Sequence, residues 1–325
     1  MPEGMQPTTL RAENAWKRLD HFLVDQLDGL SRTRIQTLIK RGLVRVDDVT
    51  VLKAREPLEG GENIQVDVPS EPDLLQVTPE DLPLDIIHED ESIMVLNKPA
   101  GMVVHPGHGV SRGTLVNGLV GRFDKLSTGS HQLRPGIVHR LDKGTSGVLV
   151  VACHDQAHRS LAAQFERREV DKTYLALVWG LPEPNGRIEL NLRRDPRNRL
   201  AFTTSSTEGR PAVTEYRVSE AYPGFSLLEV QPRTGRTHQI RVHLSYKGHP
   251  IFGDDLYRGV RNPVGIAPES RGLAREMGRV LQRPALHAHR LGFTHPGTGK
   301  HVEFEIPPPT DFAAALSLLR QHNNG

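Results

Sequence analysis

The sequence predicts an α+β protein in two parts: a small helix–helix–hairpin unit, then a larger body richer in strands than in helices. Three observations carry this. Apolar residues recur at helical spacing from Trp16 to about Lys40 and then alternate about Asp47-Asp48. Residues 69–83 contain Pro69, Pro72, Pro79 and Pro83 with acids between them, the composition of an extended linker. Beyond that point, short apolar and β-branched runs bounded by Gly, Pro and polar turns alternate with only a few helical stretches. The expected organisation is a disordered leader at 1–15, a small domain at 16–68, a linker at 69–83 and a main domain at 84–325.

In the small domain, Trp16, Leu19, Leu23 and Leu27 define a first helix that Gly29 ends. Ser31 is placed to cap a second, running to about Lys40, with Ile35, Leu38 and Ile39 on its inner face. A short hairpin and a strand at Ile64–Val68 follow. The main domain opens with Ile86-Ile87 and Ile93–Leu96 about an acidic turn. A Pro/Gly-punctuated loop, Asn97–Gly107, precedes a helix at Thr114–Val120 and a mobile loop at Phe123–Pro135. Strands are expected at Val148–Ala152, Tyr174–Trp179, Arg187–Leu192, Ala212–Val218, Phe225–Val230, Leu286–Pro296 and Val302–Ile306. Helices are expected after Asp155, which can cap the one carrying Leu161 and Phe165, within 258–283, and at Asp311–Gln321.

Length and composition narrow the function. At 325 residues two domains are favoured, and 37% hydrophobic with 25% charged residues is ordinary for a globular protein. There is no 18-residue apolar run and no apolar signal core at the start, so a cytoplasmic protein without a membrane span is expected. The single Cys153 excludes a disulfide framework or a multi-cysteine zinc site. The net charge of +2 hides an asymmetry: residues 1–68 hold 10 Lys/Arg against 11 acids, residues 69–91 hold 8 acids and no Lys or Arg, and the rest carries 31 basic against 20 acidic side chains. A body that basic suits a polyanionic partner. No GxxxxGK[ST], GxGxxG or HExxH occurs, which argues against nucleotide, dinucleotide or zinc-protease chemistry. His287 and His289 are spaced like a metal pair, but no convergent Cys or carboxylate set accompanies them.

The stretch Ile137–Ala152, IVHRLDKGTSGVLVVA, concentrates the chemistry. An apolar pair breaks into a polar loop and resumes as a buried strand. Within eight residues stand His139, Arg140, Asp142, Lys143, Thr145 and Ser146, and Gly144 and Gly147 permit sharp turns. One carboxylate among basic neighbours is favoured in its ionised form, which makes Asp142 a poor general acid and a credible nucleophile. Two further segments stand out: KTY at Lys172–Tyr174, opening a strand, and VQPRTGRTHQIRVHL at Val230–Leu244, a strand–turn–helix carrying Arg236, His238, Arg241 and His243.

The string HRLDKGTSG followed by an apolar strand resembles the signature of the RluA-type RNA pseudouridine synthases. NKPAGMVVHPG, TGRTHQIRVH and GHPIFGDDLY extend the likeness, with Gly144 standing where the family often has an acid. SRTRIQTLIKRGLVRVDD and GGENIQV resemble the small RNA-binding domain with the αL motif, known from a ribosomal protein. The likeness runs from about Trp16 to Gln321 and is greatest to the members acting on large-subunit ribosomal RNA.

The resemblance implies a main domain built on a mixed, mainly antiparallel sheet with flanking helices and a cleft across its middle. It implies isomerisation of uridine to pseudouridine within RNA, with no cofactor or metal, by a monomer whose partner is large-subunit ribosomal RNA or its precursor particle. Asp142 takes the catalytic position, Tyr174 stacks on the flipped base, and Arg236 pairs with Asp142. His139, Arg140, Lys143, Thr145, Lys172, Thr237, His238 and Arg241 are expected along the RNA, and Arg32, Arg34, Lys40 and Arg41 of the small domain against phosphates. Transfer RNA is the alternative substrate. A non-catalytic RNA-binding assembly factor and a metal-dependent hydrolase are the readings from other classes.

Overall fold

The computed structural model describes residues 5–27, 30, 32–69, 77–107, 110–123, 126–127, 134–260 and 268–323. They form two compact units, residues 1–76 and 77–325.

The first unit contains β1 (Met5–Arg11), α1 (Leu19–Gln26), α2 (Arg32–Lys40), β2 (Val44–Val46), β3 (Val49–Thr50) and β4 (Asn63–Pro69), with an antiparallel sheet in the order β1-β4-β2-β3. Asp47 and Asp48 both adopt left-handed φ (46° and 65°), the pair of positive angles that a tight two-residue hairpin needs. Leu19, Phe22 and Leu23 of α1 and Ile35, Leu38 and Ile39 of α2 pack on Val44, Ile64 and Val66. A core this small leaves little margin, and truncating one of these residues to Ala costs about 2–5 kcal/mol.

Two expectations for this unit are corrected. Residues 5–11, expected as disordered leader, pair along their whole length with β4, from Met5↔Pro69 to Arg11↔Asn63. Trp16 lies outside α1 and instead bridges to Leu58, its ring edge-on to Phe22 at 5.6 Å. The proposed breaker Gly29 and cap Ser31 lie outside the described residues, as do linker positions 70–76.

The second unit runs β5 (Ile86–Glu89), β6 (Ile93–Lys98), α3 (Leu115–Arg122), β7 (Ser146–Ala152), α4 (Asp155–Arg167), β8 (Asp171–Trp179), β9 (Asn185–Arg194), β10 (Phe202–Ser205), β11 (Arg210–Tyr222), β12 (Phe225–Pro232), α5 (Gln239–Tyr246), α6 (Pro268–Val280), β13 (Leu286–Thr294), β14 (His301–Glu305) and α7 (Thr310–Asn323). Ten strands make one mixed sheet in the order β10-β9-β11-β12-β8-β13-β7-β6-β5, with β14 on β13. Among the described strands only β13·β7 pair in parallel, so the sheet is mainly antiparallel, as the family likeness implies. The central strands are apolar almost throughout. All seven residues of β7 are buried, as befits a strand covered on both faces.

Thr114 caps α3 and shares a reciprocal capping box with Asn117. The cap of α4 is His154, whose Nδ1 accepts the Ala157 N–H, and Asp155, expected there, instead occupies the first turn and bonds Ser127. The short strand β10 was not foreseen, and β11 is longer than the expected 212–218. Most of the expected mobile loop at 123–135 lies outside the described residues.

Sheet register assembles the centre of the molecule. Ala288 of β13 pairs with Gly147 of β7 on one side and Tyr174 of β8 on the other, and Tyr174 pairs in turn with Val230 of β12. The loop before β7, the start of β8 and the end of β12 therefore converge. Gly147 is required there: its φ is +116°, and a Cβ would stand 2.1 Å from the Ala288 carbonyl oxygen.

Candidate active site

The loop carrying Asp142 is fixed by its backbone. Gly101 N–H donates to the Lys143 carbonyl at 2.7 Å, and Thr145 N–H to the Asp142 carbonyl at 3.0 Å. Arg283 grips Asp311 of α7 with two guanidinium nitrogens (2.6 and 2.8 Å) and reaches the Gly144 carbonyl with the third, at 3.3 Å. His139 Nε2 accepts the Val150 N–H at 3.0 Å, and its ring stacks on Phe165 at 4.6 Å. Burial, followed by the charge of Lys172, pushes His139 down to about 3, so it is a neutral brace for the loop.

The cation beside Asp142 is Arg241, not Arg236. Arg241 Nη1 donates to Asp142 Oδ2 at 3.3 Å, while its Nε and Nη2 clasp Asp254 at 2.7 and 2.9 Å. Asp254 is fully buried and also accepts the N–H groups of Leu256 and Tyr257. Burial lowers the Arg241 pKa, but the bonds and charge of Asp254, then the charge of Asp142, outweigh it and keep the guanidinium protonated. The expected pairing of Arg236 with Asp142 is therefore corrected. Arg236 sits on the turn before α5, where its Nε donates to the Pro211 carbonyl at 3.2 Å.

His238 lies between these groups in a left-handed conformation (φ 56°), a costly position for a non-glycine residue. Phe202 N–H donates to the Tyr257 hydroxyl at 2.8 Å, and that hydroxyl is hydrogen-bonded to His238 Nδ1, also at 2.8 Å. His238 Nε2 lies 3.9 Å from Asp142 Oδ2. Burial lowers the His238 pKa, and Asp142 opposes this in part.

The turn 233–238 is knitted by Thr234 and Gln239. Thr234 accepts Val213 N–H and bonds Gln239 Oε1, which also accepts Arg236 N–H. Tyr174 faces the same space, and burial, then the charge of Asp142, raises its pKa well above the usual phenol value. Its hydroxyl is neutral at any physiological pH. Asp142, Thr145, Tyr174, Arg236 and Thr237 line a cavity of about 110 Å³. Open recesses flank it, about 540 Å³ on the Lys172–Arg236 side and about 1150 Å³ on the Lys143–Arg271 side, with Arg140 on the walls of both. Arg140, Lys143 and Thr237 are exposed, whereas Thr145 is buried. Lys172 is half-buried, its Nζ 5.9 Å from the Phe165 ring centroid.

Lys98, Asp254 and Tyr257 were not singled out from sequence. Lys98, the last residue of β6, is wholly buried and donates to the carbonyls of Pro99 (2.7 Å) and Met102 (3.0 Å). Burial drives it down to about 7, against the pull of Asp142 and with a push from Arg283. An NKPAG lysine amid apolar neighbours and an Asp in GDDLY were the available signals.

In the first unit, the expected phosphate contacts are exposed at Lys40 and Arg41. Arg32 is half-exposed and turns one edge to the buried Asp20 (3.3 Å), which Arg18 and Gln36 also bind. The side chain of Arg34 lies outside the described residues.

Among the described residues one cluster brings metal-type ligands together: His88, Asp90 and His295. Its hydrogen bonds explain it without an ion. His295 Nδ1 accepts the N–H groups of Gly297 and Thr298, which leaves Nε2–H to donate to Asp90 at 2.9 Å. Coordination through Nε2 would require a proton on Nδ1, facing two donors. His287 and His289 both direct a nitrogen to the Ile306 carbonyl.

Comparison with known proteins agrees with this architecture. Residues 92–246 match the RNA pseudouridylate synthase family, and residues 17–64 match the S4 domain. The chain is 42% identical to the RNA pseudouridine synthase YlyB of Bacillus subtilis, over 97% of this chain and 98% of that one. It is 43% identical to the ribosomal large subunit pseudouridine synthase D of Neisseria meningitidis, over 96% of this chain and 81% of that one. Among solved structures, human RNA pseudouridylate synthase domain containing 4 aligns over 73% of this chain and 93% of its own, with TM-score 0.55 and 27% identity.

Proposed function

The chain belongs to the RluA-type family of RNA pseudouridine synthases, and from that premise we propose that its substrate is large-subunit ribosomal RNA. The observation that carries the substrate class is the 43% identity, through both the S4 unit and the catalytic unit, to a synthase named for the ribosomal large subunit.

The reaction cleaves the N1–C1′ bond of a uridine, turns the uracil, and rejoins C1′ to C5, with the C5 proton lost and N1 protonated. A paired and stacked uridine is out of reach, so the base leaves the helix for the cavity beside Asp142, at a cost of a few kcal/mol. Asp142 acts as nucleophile or as partner of the charge that develops when the glycosidic bond breaks. Arg241, anchored on Asp254, orients that carboxylate, with the His238 ring beside it. Tyr174 offers its ring face to the uracil and a neutral hydroxyl, since its raised pKa makes phenolate scarce. Arg236, Arg140 and Lys143, at the rims, meet phosphates and set the register of the RNA without reading its sequence.

The test is pseudouridine mapping after the purified protein acts on large-subunit ribosomal RNA transcripts and on transfer RNA. The reading expects product in the ribosomal transcripts and none in transfer RNA. Product confined to transfer RNA would overturn the substrate class and leave the catalytic assignment standing.

A further inference from the structure

We propose that the turn between β9 and β10 is a second docking surface for RNA phosphates, on the His238 side of Asp142. This rests on the pseudouridine synthase reading and adds to it a surface that neither the base cavity nor the S4 unit supplies. The segment Arg193–Arg199 reads RRDPRNR, four arginines in seven residues. Arg193 is paired with Glu208 at 2.6 Å. Arg194, Arg197 and Arg199 are exposed, and the guanidinium groups of Arg197 and Arg199 make no ion pair among the described residues. The one acid in the segment, Asp195, accepts the backbone N–H of Arg197 at 2.8 Å and so shapes the turn.

Several backbone groups of the turn are held by hydrogen bonds. Asp195 N–H donates to the Ala201 carbonyl and Ala201 N–H to the Asn198 carbonyl, both at 3.0 Å. Leu200 N–H donates to Asn198 Oδ1, and Arg194 Nη1 to the Arg199 carbonyl. At the tip Leu200 is 77% exposed among the arginines. An exposed apolar side chain next in sequence to exposed arginines suits a ligand with both phosphates and base faces better than it suits an acidic protein surface.

The root of the turn reaches the active site. The Arg194 guanidinium lies 5.3 Å from the Phe202 ring centroid. Phe202 meets His238 edge-on at 5.9 Å, and its N–H holds the Tyr257 hydroxyl that fixes His238. The Arg194 end of the turn is therefore linked through Phe202 to His238, which lines the Asp142 cavity.

The experiment compares the full-length wild type with Arg197→Glu/Arg199→Glu, both side chains being exposed and outside the catalytic machinery. Binding of a ribosomal RNA fragment is measured across a salt series, with single-turnover isomerisation at saturating RNA. The expected result is about tenfold weaker binding at moderate salt and a slope of log K against log salt shallower by about 1.4, two contacts at about 0.7 each for a single strand. The rate at saturation is expected to be unchanged, since only uniform binding is lost. Unaltered affinity and slope in a variant that melts like the wild type would overturn the proposal. So would a lower saturating rate with affinity intact, since the turn would then act on His238 rather than on RNA. A wild type that binds RNA with this salt response but makes no pseudouridine would refute the functional reading and leave the docking surface standing.

Discussion

The charge on Asp142 is managed at the scale of single residues, by groups that sequence reading ranked unevenly. Asp142 itself was legible, because HRLD in a Gly-flanked loop is a local string that needs no tertiary information. Lys98 was not, because what sets it apart is complete burial. A neutral amine carries two N–H groups, and Lys98 has two acceptors, the carbonyls of Pro99 and Met102. In the unfolded chain a lysine titrates near 10.4, at about the ordinary value, whereas the folded site holds it at about 7. Below the folded pKa both states are protonated, and folding bears the full cost of a buried charge. As pH rises above 7 the folded state sheds its proton while the unfolded chain keeps it, so this cost falls. The stability of the wild type relative to Lys98→Met is therefore expected to grow from about pH 6 to about pH 9, measured by urea denaturation at each pH. A difference that stays constant over that range would contradict the burial argument.

At the scale of elements, the turn 233–238 and α5 divide two arginines between two jobs. Arg241 lies on the third residue of α5, where Gln239–Leu244 are all buried, and Arg236 lies on the turn before it. Breaking a buried ion pair by removing one partner costs about 3–5 kcal/mol, because the other charge is stranded. Arg241→Met should thus destabilise the fold and abolish most isomerisation by leaving Asp254 buried alone and Asp142 without its cation. Arg236→Ala should melt like the wild type, keep its pH profile and raise KM for RNA. Melting curves with single-turnover rates between about pH 5 and pH 9 distinguish the two. The reverse pattern would restore Arg236 as the partner.

Sequence periodicity could not separate these arginines. A helix buried on every side shows no apolar stripe, and both arginines fall within the same ten-residue motif. Strand β1 was missed for a related reason. MQPTTLR is short and polar, and it becomes a strand only by pairing with β4, more than fifty residues away. The strands of the central sheet were legible because two covered faces leave continuous apolar runs. The four-residue β10 has no such signature.

At the scale of the whole molecule, the chain divides its work between units with separate cores. The S4 unit carries exposed Lys40 and Arg41, and the residues that line the Asp142 cavity lie between 140 and 286. Deleting residues 1–76 should therefore weaken binding of ribosomal RNA and flatten its salt dependence, while the remaining unit still isomerises a fragment supplied in excess. Complete loss of single-turnover activity in a folded 77–325 fragment would instead make the S4 unit part of the active site.

The central claim is that Asp142 performs the chemistry while binding is spread over many phosphate contacts. Asp142→Asn preserves size and most hydrogen bonding but removes the charge. The decisive measurement is single-turnover isomerisation of an RNA tritiated at uracil C5, alongside filter binding of the same RNA. The account predicts no tritium release by Asp142→Asn, with affinity within a few-fold of the wild type. Release at the wild-type rate by that variant would contradict it.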